Sequence, residues 1–304
     1  MQSFFSLIRW KNLIMIALVQ ILIKYALFEP FDVAITLNGL GFSLLILTTL
    51  CLAAAGNIIN DIYDVETDLV NKPEKVIVGK SISEKAAYNL FFAFNIIGVG
   101  IGFYLSHAIG KSPFFAIFVV ISVLLYIYAS YLKQMPFIGN IVISTLVALS
   151  LIIVGIFDLI PAISETNKDA QFTFFKIVLD YALFAFMINL VREMVKDLED
   201  VEGDYNAKMN TLPIAIGRAR ARQFTFVISF IPICAVVYYI VTFLYKQQLA
   251  VAYFLVFILA PLIYISLKLY YAETKINYKH ISTIIKYTMF FGMLSLLMYP
   301  IILK

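Results

Sequence analysis

Asp61-Ile-Tyr-Asp64-Val-Glu-Thr-Asp68 and Asp197-Leu-Glu-Asp200-Val-Glu-Gly-Asp204 are one phrase written twice, 136 residues apart, identical at five of eight positions with all three Asp in register. Each copy follows an apolar stretch long enough to cross a bilayer, so each reads as the polar tip of a membrane helix. A functional segment repeated in this way points to two pseudo-repeated halves that contribute to one shared site.

Outward from these segments the chain is apolar. Of 304 residues 62% are hydrophobic and 14% charged, against roughly 45–50% and 25% in a soluble domain, and this excludes a soluble enzyme. Windows of about 20 apolar residues place spans near 13–28, 40–60, 87–109, 113–132, 137–160, 174–191, 223–245, 249–271 and 281–303. The expected fold is therefore all-α: a polytopic membrane protein of about nine transmembrane helices in two pseudo-repeated halves around a central cavity. Residues 1–304 read as a single transmembrane domain, with acidic motif loops at about 57–85 and 189–222. The polar ends of the second and sixth spans run on as acidic helical turns, and Gly203 is expected to end the second of these just before Asp204.

Sixteen Lys and Arg fall on the side of the acidic loops and five (Lys111, Lys168, Lys176, Lys246 and Lys304) on the other. The positive-inside rule then puts the amino terminus and both acidic loops in the cytoplasm and the carboxyl terminus outside. The first span lacks a small-residue cleavage site, since Phe28-Glu29-Pro30-Phe31 follows it, and reads as a retained helix. The net charge of +4 is explained by these loop bases, with no call for nucleic acid. Cys51 and Cys234 both sit in apolar stretches, which leaves no disulfide framework or CxxC metal site.

Twelve of the 19 carboxylates lie in residues 61–84 and 193–204. At about 100° per residue, Asn57, Asp61, Asp64 and Asp68 fall within roughly 60° of helix surface, and Glu193, Asp197, Asp200 and Asp204 repeat the spacing. Like charges at i, i+4 repel. A divalent cation relieves that repulsion, and hard oxygen donors at this density suit Mg²⁺, which binds through a few carboxylates together with substrate phosphate oxygens. The bases nearby, Lys72, Lys75, Arg192, Lys196 and Lys133 at the end of Tyr126-Ile-Tyr128-Ala-Ser-Tyr131-Leu-Lys133, are suited to a diphosphate leaving group. Lys24 and Lys286 lie inside spans, where ionisable groups are expensive. His107 and His280 have no partner evident from sequence. Arg218, Arg220 and Arg222 are a further basic cluster on the same side.

These residues resemble the UbiA superfamily of intramembrane prenyltransferases. The first family motif is matched by Asn57-Ile-Ile-Asn60-Asp61-Ile-Tyr-Asp64-Val-Glu-Thr-Asp68 with Asn71-Lys72-Pro73-Glu74-Lys75 after it. The second is matched by Arg192-Glu-Met-Val-Lys196-Asp197-Leu-Glu-Asp200-Val-Glu-Gly-Asp204 with Asn210-Thr211-Leu212-Pro213 after it, and the family's Tyr-Ser-x-x-x-Lys segment by Tyr128 to Lys133. Lys at 72 and 75 departs from the commoner Arg, replacing a bidentate fork with point charges, and Ala129 replaces Ser. The resemblance implies Mg²⁺-dependent transfer of a polyprenyl group from its diphosphate to a lipophilic acceptor within the membrane. Asp61, Asp64, Asp68, Asp197, Asp200 and Asp204 would be catalytic, binding metal together with Asn57. Lys72, Lys75, Tyr128, Lys133, Arg192 and Lys196 would bind substrate.

In overall character the chain is most similar to members related to digeranylgeranylglyceryl phosphate synthase, which use geranylgeranyl groups and a glycerol acceptor in ether-lipid formation. A phosphorylated acceptor of that kind would want an additional basic pocket, for which Arg218, Arg220 and Arg222 are the candidates, and an aromatic acceptor of quinone, haem or chlorophyll synthesis is the alternative that the residues leave open. A secondary transporter would place its ionisable groups near the bilayer midplane. A CDP-alcohol phosphotransferase would carry an Asp-Gly-x-x-Ala-Arg signature, which is absent. A non-catalytic lipid-binding scaffold would give no reason for the duplicated spacing.

Overall fold

The computed structural model describes residues 2–302, so Lys304 lies outside the described residues. Among these, nine helices are long and apolar enough to cross a membrane: α1 (Trp10–Phe31), α2 (Gly39–Tyr63), α3 (Glu84–Ala108), α4 (Ser112–Ser130), α5 (Ile138–Ala162), α6 (Lys168–Asn206), α7 (Arg218–Leu244), α8 (Gln248–Tyr270) and α9 (Lys275–Ile301). Each expected span falls on one of them, the ninth as far as the described residues reach, Leu303 lying outside them. No strand forms among the described residues, as expected of a chain whose lipid-facing backbone must satisfy its own hydrogen bonds.

Helix ends follow local chemistry. Asn38 and Ser83 cap α2 and α3 by accepting from the amides of Gly41 and Ala86. The N-terminal half packs α2 against α3 and α4, and the C-terminal half packs α6 against α9 and α9 against α8. The α5–α6 contact joins the two halves. Close approach is bought with small residues: a Cβ on Gly102 of α3 would sit 2.4 Å from the Phe118 ring of α4.

The end of the bundle away from the acidic motifs is tied shut by a buried polar staple. Lys24 and Asp158, 2% and 0% exposed, approach to 3.4 Å. The Lys24 ammonium donates to the Leu37 carbonyl at 2.5 Å, and Asp158 accepts from the Leu37 amide at 2.9 Å. Gln171 donates to the Ala34 carbonyl at 2.7 Å, so the segment between α1 and α2 is pinned at two points, Ala34 and Leu37. Lys24 is therefore a paired, buried group. The histidines also find partners, contrary to the sequence expectation: His107 Nδ1 lies 2.8 Å from the Phe103 carbonyl and His280 Nε2 lies 3.2 Å from the Tyr264 hydroxyl.

Candidate active site

The first acidic segment is not one straight helix. α2 stops at Tyr63, Asp64 adopts φ −91° and ψ 0°, and a short helix Val65–Asn71 continues from it. The second is continuous, because α6 runs for 39 residues through Gly203 and Asp204 to Asn206. The expectation that Gly203 ends this helix is thus corrected, and the reason is packing. A Cβ at Gly203 would sit 2.2 Å from Asn71 Nδ2 and 2.7 Å from the Thr67 carbonyl. The glycine lets the two motifs touch.

Asn71 stitches them together. Its Nδ2 donates to the Asp200 carbonyl at 2.9 Å, its Oδ1 accepts from the Gly203 amide at 3.0 Å, and Lys275 of α9 donates to its carbonyl at 2.7 Å. Beside it, the Lys72 ammonium donates to the Asp200 carboxylate at 2.8 Å and stands 3.7 Å from Glu199. A base from the first motif thereby neutralises an acid of the second. Burial alone would lower the Lys72 pKa, but Asp200 more than reverses this and holds the ammonium charged above its ordinary range.

The remaining acids are engaged one by one. Arg9 donates to Asp61 at 2.6 Å, and although burial opposes its charge, Asp61 outweighs it and keeps the guanidinium protonated. Lys133 donates to Asp64, which also accepts from Asn60 at 2.6 Å. Asp197 accepts from Asn140 of α5 at 2.8 Å, and Asp204 from the Thr211 hydroxyl at 3.0 Å. Arg192 and Lys196 donate to Glu193 at 2.6 and 3.0 Å. Asn57 donates to the Ile8 carbonyl at 3.0 Å. Burial, reinforced by the charge of Asp64, pushes the Asp68 carboxyl above the usual carboxylate range.

Asn57, Asp61, Asp64, Asp68, Lys72, Lys75, Tyr128, Lys133, Arg192, Lys196, Asp197, Asp200 and Asp204 all line a single cavity of about 1080 Å³. Below the charged rim it is walled by aliphatic and aromatic side chains, among them Leu52, Phe118, Leu146, Phe184 and Met289. Arg218, Arg220 and Arg222 do not line it. Arg222 instead donates to the Ala272 carbonyl at 2.9 Å, and Arg218 lies over the Tyr278 ring. A role for these three in holding an acceptor at this site is accordingly set aside.

No three Asp, Glu, His or Cys groups among the described residues converge into a ready metal cage. The carboxylates are instead distributed between cations and amides. The donor set nonetheless fits Mg²⁺, which takes one or two carboxylates, keeps several waters and completes its shell with substrate phosphate. Asp64 Oδ1 and Asn60 Oδ1, both buried and without a hydrogen-bond partner, are hard oxygens left open at the rim.

Sequence reasoning missed Arg9, Asn60, Asn71 and Asn140 as parts of the site. Asn60 and Asn71 stand inside the quoted motif runs. Asn140 was visible as an uncompensated amide within an apolar span, and Arg9 was absorbed into the count of loop bases.

The family model for the UbiA prenyltransferase family matches residues 25–294, which include both acidic motifs, the end of α1, all of α2 to α8 and most of α9. The chain belongs to the UbiA prenyltransferase family. It is an integral, multi-pass membrane protein, as nine apolar helices in this family require. It is 36% identical over 189 residues to a digeranylgeranylglyceryl phosphate synthase of Thermococcus kodakarensis, a match covering 60% of this chain and 61% of that protein. A synthase of the same name from Korarchaeum cryptofilum is 31% identical over 250 residues, 81% of each chain. Matches to these relatives thus range from about three fifths to four fifths of their length.

Two solved structures share the UbiA fold. One, described as giving insight into digeranylgeranylglyceryl phosphate synthase in membranes, superposes with a TM-score of 0.66 at 24% identity over 99% of this chain and 98% of its own. The other is a UbiA homologue from Archaeoglobus fulgidus bound to GPP and Mg²⁺, with a TM-score of 0.55 at 16% identity over 97% of this chain and 99% of its own.

Proposed function

We propose that this UbiA-family protein transfers a polyprenyl group, of geranylgeranyl type, from its diphosphate to the hydroxyl of a lipophilic acceptor of the glyceryl phosphate class. One observation carries the reading: two copies of one acidic motif, from opposite halves of the chain, face a common cavity that is ionic at its rim and apolar below it. The names of the relatives and the GPP and Mg²⁺ held by the Archaeoglobus fulgidus homologue support it.

Mg²⁺ would be held by Asp61, Asp64, Asp68, Asp197, Asp200 and Asp204, with Asn57 beside them. When bound, it would neutralise the departing diphosphate. Lys72, Lys75 and Lys133, with Tyr128 on the wall of the same cavity, would bind the same anion. Lys72 and Lys133 now rest on Asp200 and Asp64. A diphosphate entering between them would replace carboxylate by phosphate oxygen at each ammonium and free those carboxylates as ligands. In the transfer, the bond from the prenyl C1 to the diphosphate oxygen breaks. A bond from C1 to the acceptor oxygen forms, and the hydroxyl proton passes to a rim carboxylate. The apolar walls exclude the water that would otherwise capture an allylic cation.

Residues 1–304 act as one transmembrane prenyltransferase domain in this reading. The rim faces the cytoplasm, with the amino terminus inside and the carboxyl terminus outside, on the charge asymmetry of the loops. The test is an assay in nanodiscs with radiolabelled geranylgeranyl diphosphate and Mg²⁺, offering a prenylated glyceryl phosphate and 4-hydroxybenzoate in parallel. Product from the first acceptor only, lost with EDTA, is expected. Product from the aromatic acceptor alone would reassign the acceptor class, and absence of Mg²⁺-dependent diphosphate binding would overturn the prenyltransferase reading.

A further inference from the structure

Eight basic and eight acidic side chains line the cavity, but they are not evenly matched along it. Toward the rim, Lys72, Lys133 and Arg9 each have an Asp. Deeper, on the facing surfaces of α6 and α9, the balance tips. Arg192, Lys196 and Lys286 stand with two carboxylates, Glu193 and Asp197, three cations to two anions. Arg192 and Lys196 are bonded to Glu193, and Lys286 makes no ion pair with any described residue.

Lys286 lies eleven residues into α9, about 16 Å along the helix from Lys275 at 1.5 Å per residue. It shares a face with Met289 and Met293, and all three line the cavity, so its ammonium opens inward. The groups that act on it electrostatically are Arg192, Lys196, Arg9 and Glu193, three cations and one anion. Lys286 is an exposed side chain within a membrane span, open to the cavity and standing among like charges with no ion-pair partner of its own among the described residues. Arg192 adds a second open position, because its Nε is buried without an acceptor. The local excess of positive charge and the unfilled donors ask for an anion separate from the one served by Lys72 and Lys133.

We propose that Lys286, with Arg192 and Lys196, forms a second anion subsite that binds the phosphate monoester of the acceptor, making Lys286 a specificity-determining residue for phosphorylated lipid acceptors. This rests on the prenyltransferase reading above and deepens it. Two anion subsites at two depths of one cavity hold the diphosphate of one lipid and the phosphate of the other apart. Glu193 serves as the counter-ion of Arg192 and Lys196 until the phosphate arrives.

The test uses full-length protein in nanodiscs as wild type, Lys286→Met and Lys286→Arg. Two readouts are taken: equilibrium binding of a radiolabelled prenylated glyceryl phosphate without prenyl diphosphate, and steady-state transfer with that acceptor or its dephosphorylated alcohol. Lys286→Met is expected to weaken binding and raise the acceptor KM by at least about tenfold, as loss of a charge-assisted hydrogen bond to phosphate does. It should also collapse the preference for the phosphorylated over the dephosphorylated acceptor. The KM for the prenyl diphosphate should stay within about twofold, which also shows the variant to be folded, and Lys286→Arg should restore acceptor binding. Unchanged acceptor binding and preference in Lys286→Met, with active wild type, would overturn the subsite alone. An equal rise in both KM values would assign Lys286 to the diphosphate and overturn it as well. Absence of transfer by wild type with either acceptor would instead overturn the prenyltransferase reading, while the binding readout still judges the subsite.

Discussion

The two acidic motifs share a spacing but not an electrostatic design. In the first, the helix breaks at Asp64, and Asp61 and Asp64 are each met by a cation brought from elsewhere in the chain, Arg9 and Lys133. In the second, the helix is unbroken, and Asp197 and Asp204 are met only by neutral donors, Asn140 and Thr211. Only Asp200 meets a cation, and that cation, Lys72, belongs to the first motif. The two copies keep one Asp spacing in different surroundings. Among the described residues, the first copy has two of its three Asp paired to cations and Asp68 without one, whereas in the second only Asp200 is so paired.

The largest effects should follow from removing one acid from each copy. Asp61→Asn and Asp197→Asn are each expected to lower kcat by at least about 10²–10³-fold, the scale of losing one group that stabilises developing charge, with the protein still eluting as folded in detergent. Turnover near wild type in either variant would remove that residue from the metal assignment. The comparison itself is sharpened by stability: Asp61→Asn strips Arg9 of its partner, whereas Asp197→Asn removes a poorly neutralised buried charge. Asp61→Asn should therefore lower Tm and Asp197→Asn should leave it unchanged or raise it.

Next in size is the contact between the copies. Gly203→Ala forces a methyl group into Asn71 and the Thr67 carbonyl. It should cost about 1–3 kcal/mol, as overpacking does, read as a lower Tm together with weaker diphosphate binding, since Lys72 moves with Asn71. Asn140→Ala leaves Asp197 without its donor and should cost about 1–3 kcal/mol where no metal is bound; the deficit should shrink as Mg²⁺ and prenyl diphosphate are added. A deficit that ignores ligand would mean that Asn140 serves packing only. The smallest effect is expected at Lys75, which lines the cavity without an ion pair: Lys75→Met should raise the KM for prenyl diphosphate by about tenfold or less, and Lys133→Met by more.

Much of this was legible in the sequence because it depends on period and repetition. Apolar windows located the nine spans found among the described residues, and thirteen residues taken from the repeated motif and the family resemblance line one cavity. What escaped depends on contacts between distant segments. Spacing cannot say that Arg9 reaches Asp61 across 52 residues, or that Asn71 bonds to Gly203 across 132. Gly203 was misjudged for the same reason. A glycine beside an acidic run reads locally as a helix terminator, whereas its lack of a side chain is used here for helix-to-helix contact. Lys24 and Lys286 looked alike in the sequence as lysines within spans. Only the fold separates them, one stapled to Asp158 and the other open to the cavity.

The central claim is that neither copy of the motif suffices and that the two together hold metal and diphosphate. Its most direct test is equilibrium binding of radiolabelled geranylgeranyl diphosphate to nanodisc-embedded wild type, Asp61→Asn and Asp197→Asn across a Mg²⁺ titration. Wild type should bind in a Mg²⁺-dependent manner, and both variants should lose that dependence. Mg²⁺-dependent binding of wild-type strength in either variant would contradict a site shared between the two halves.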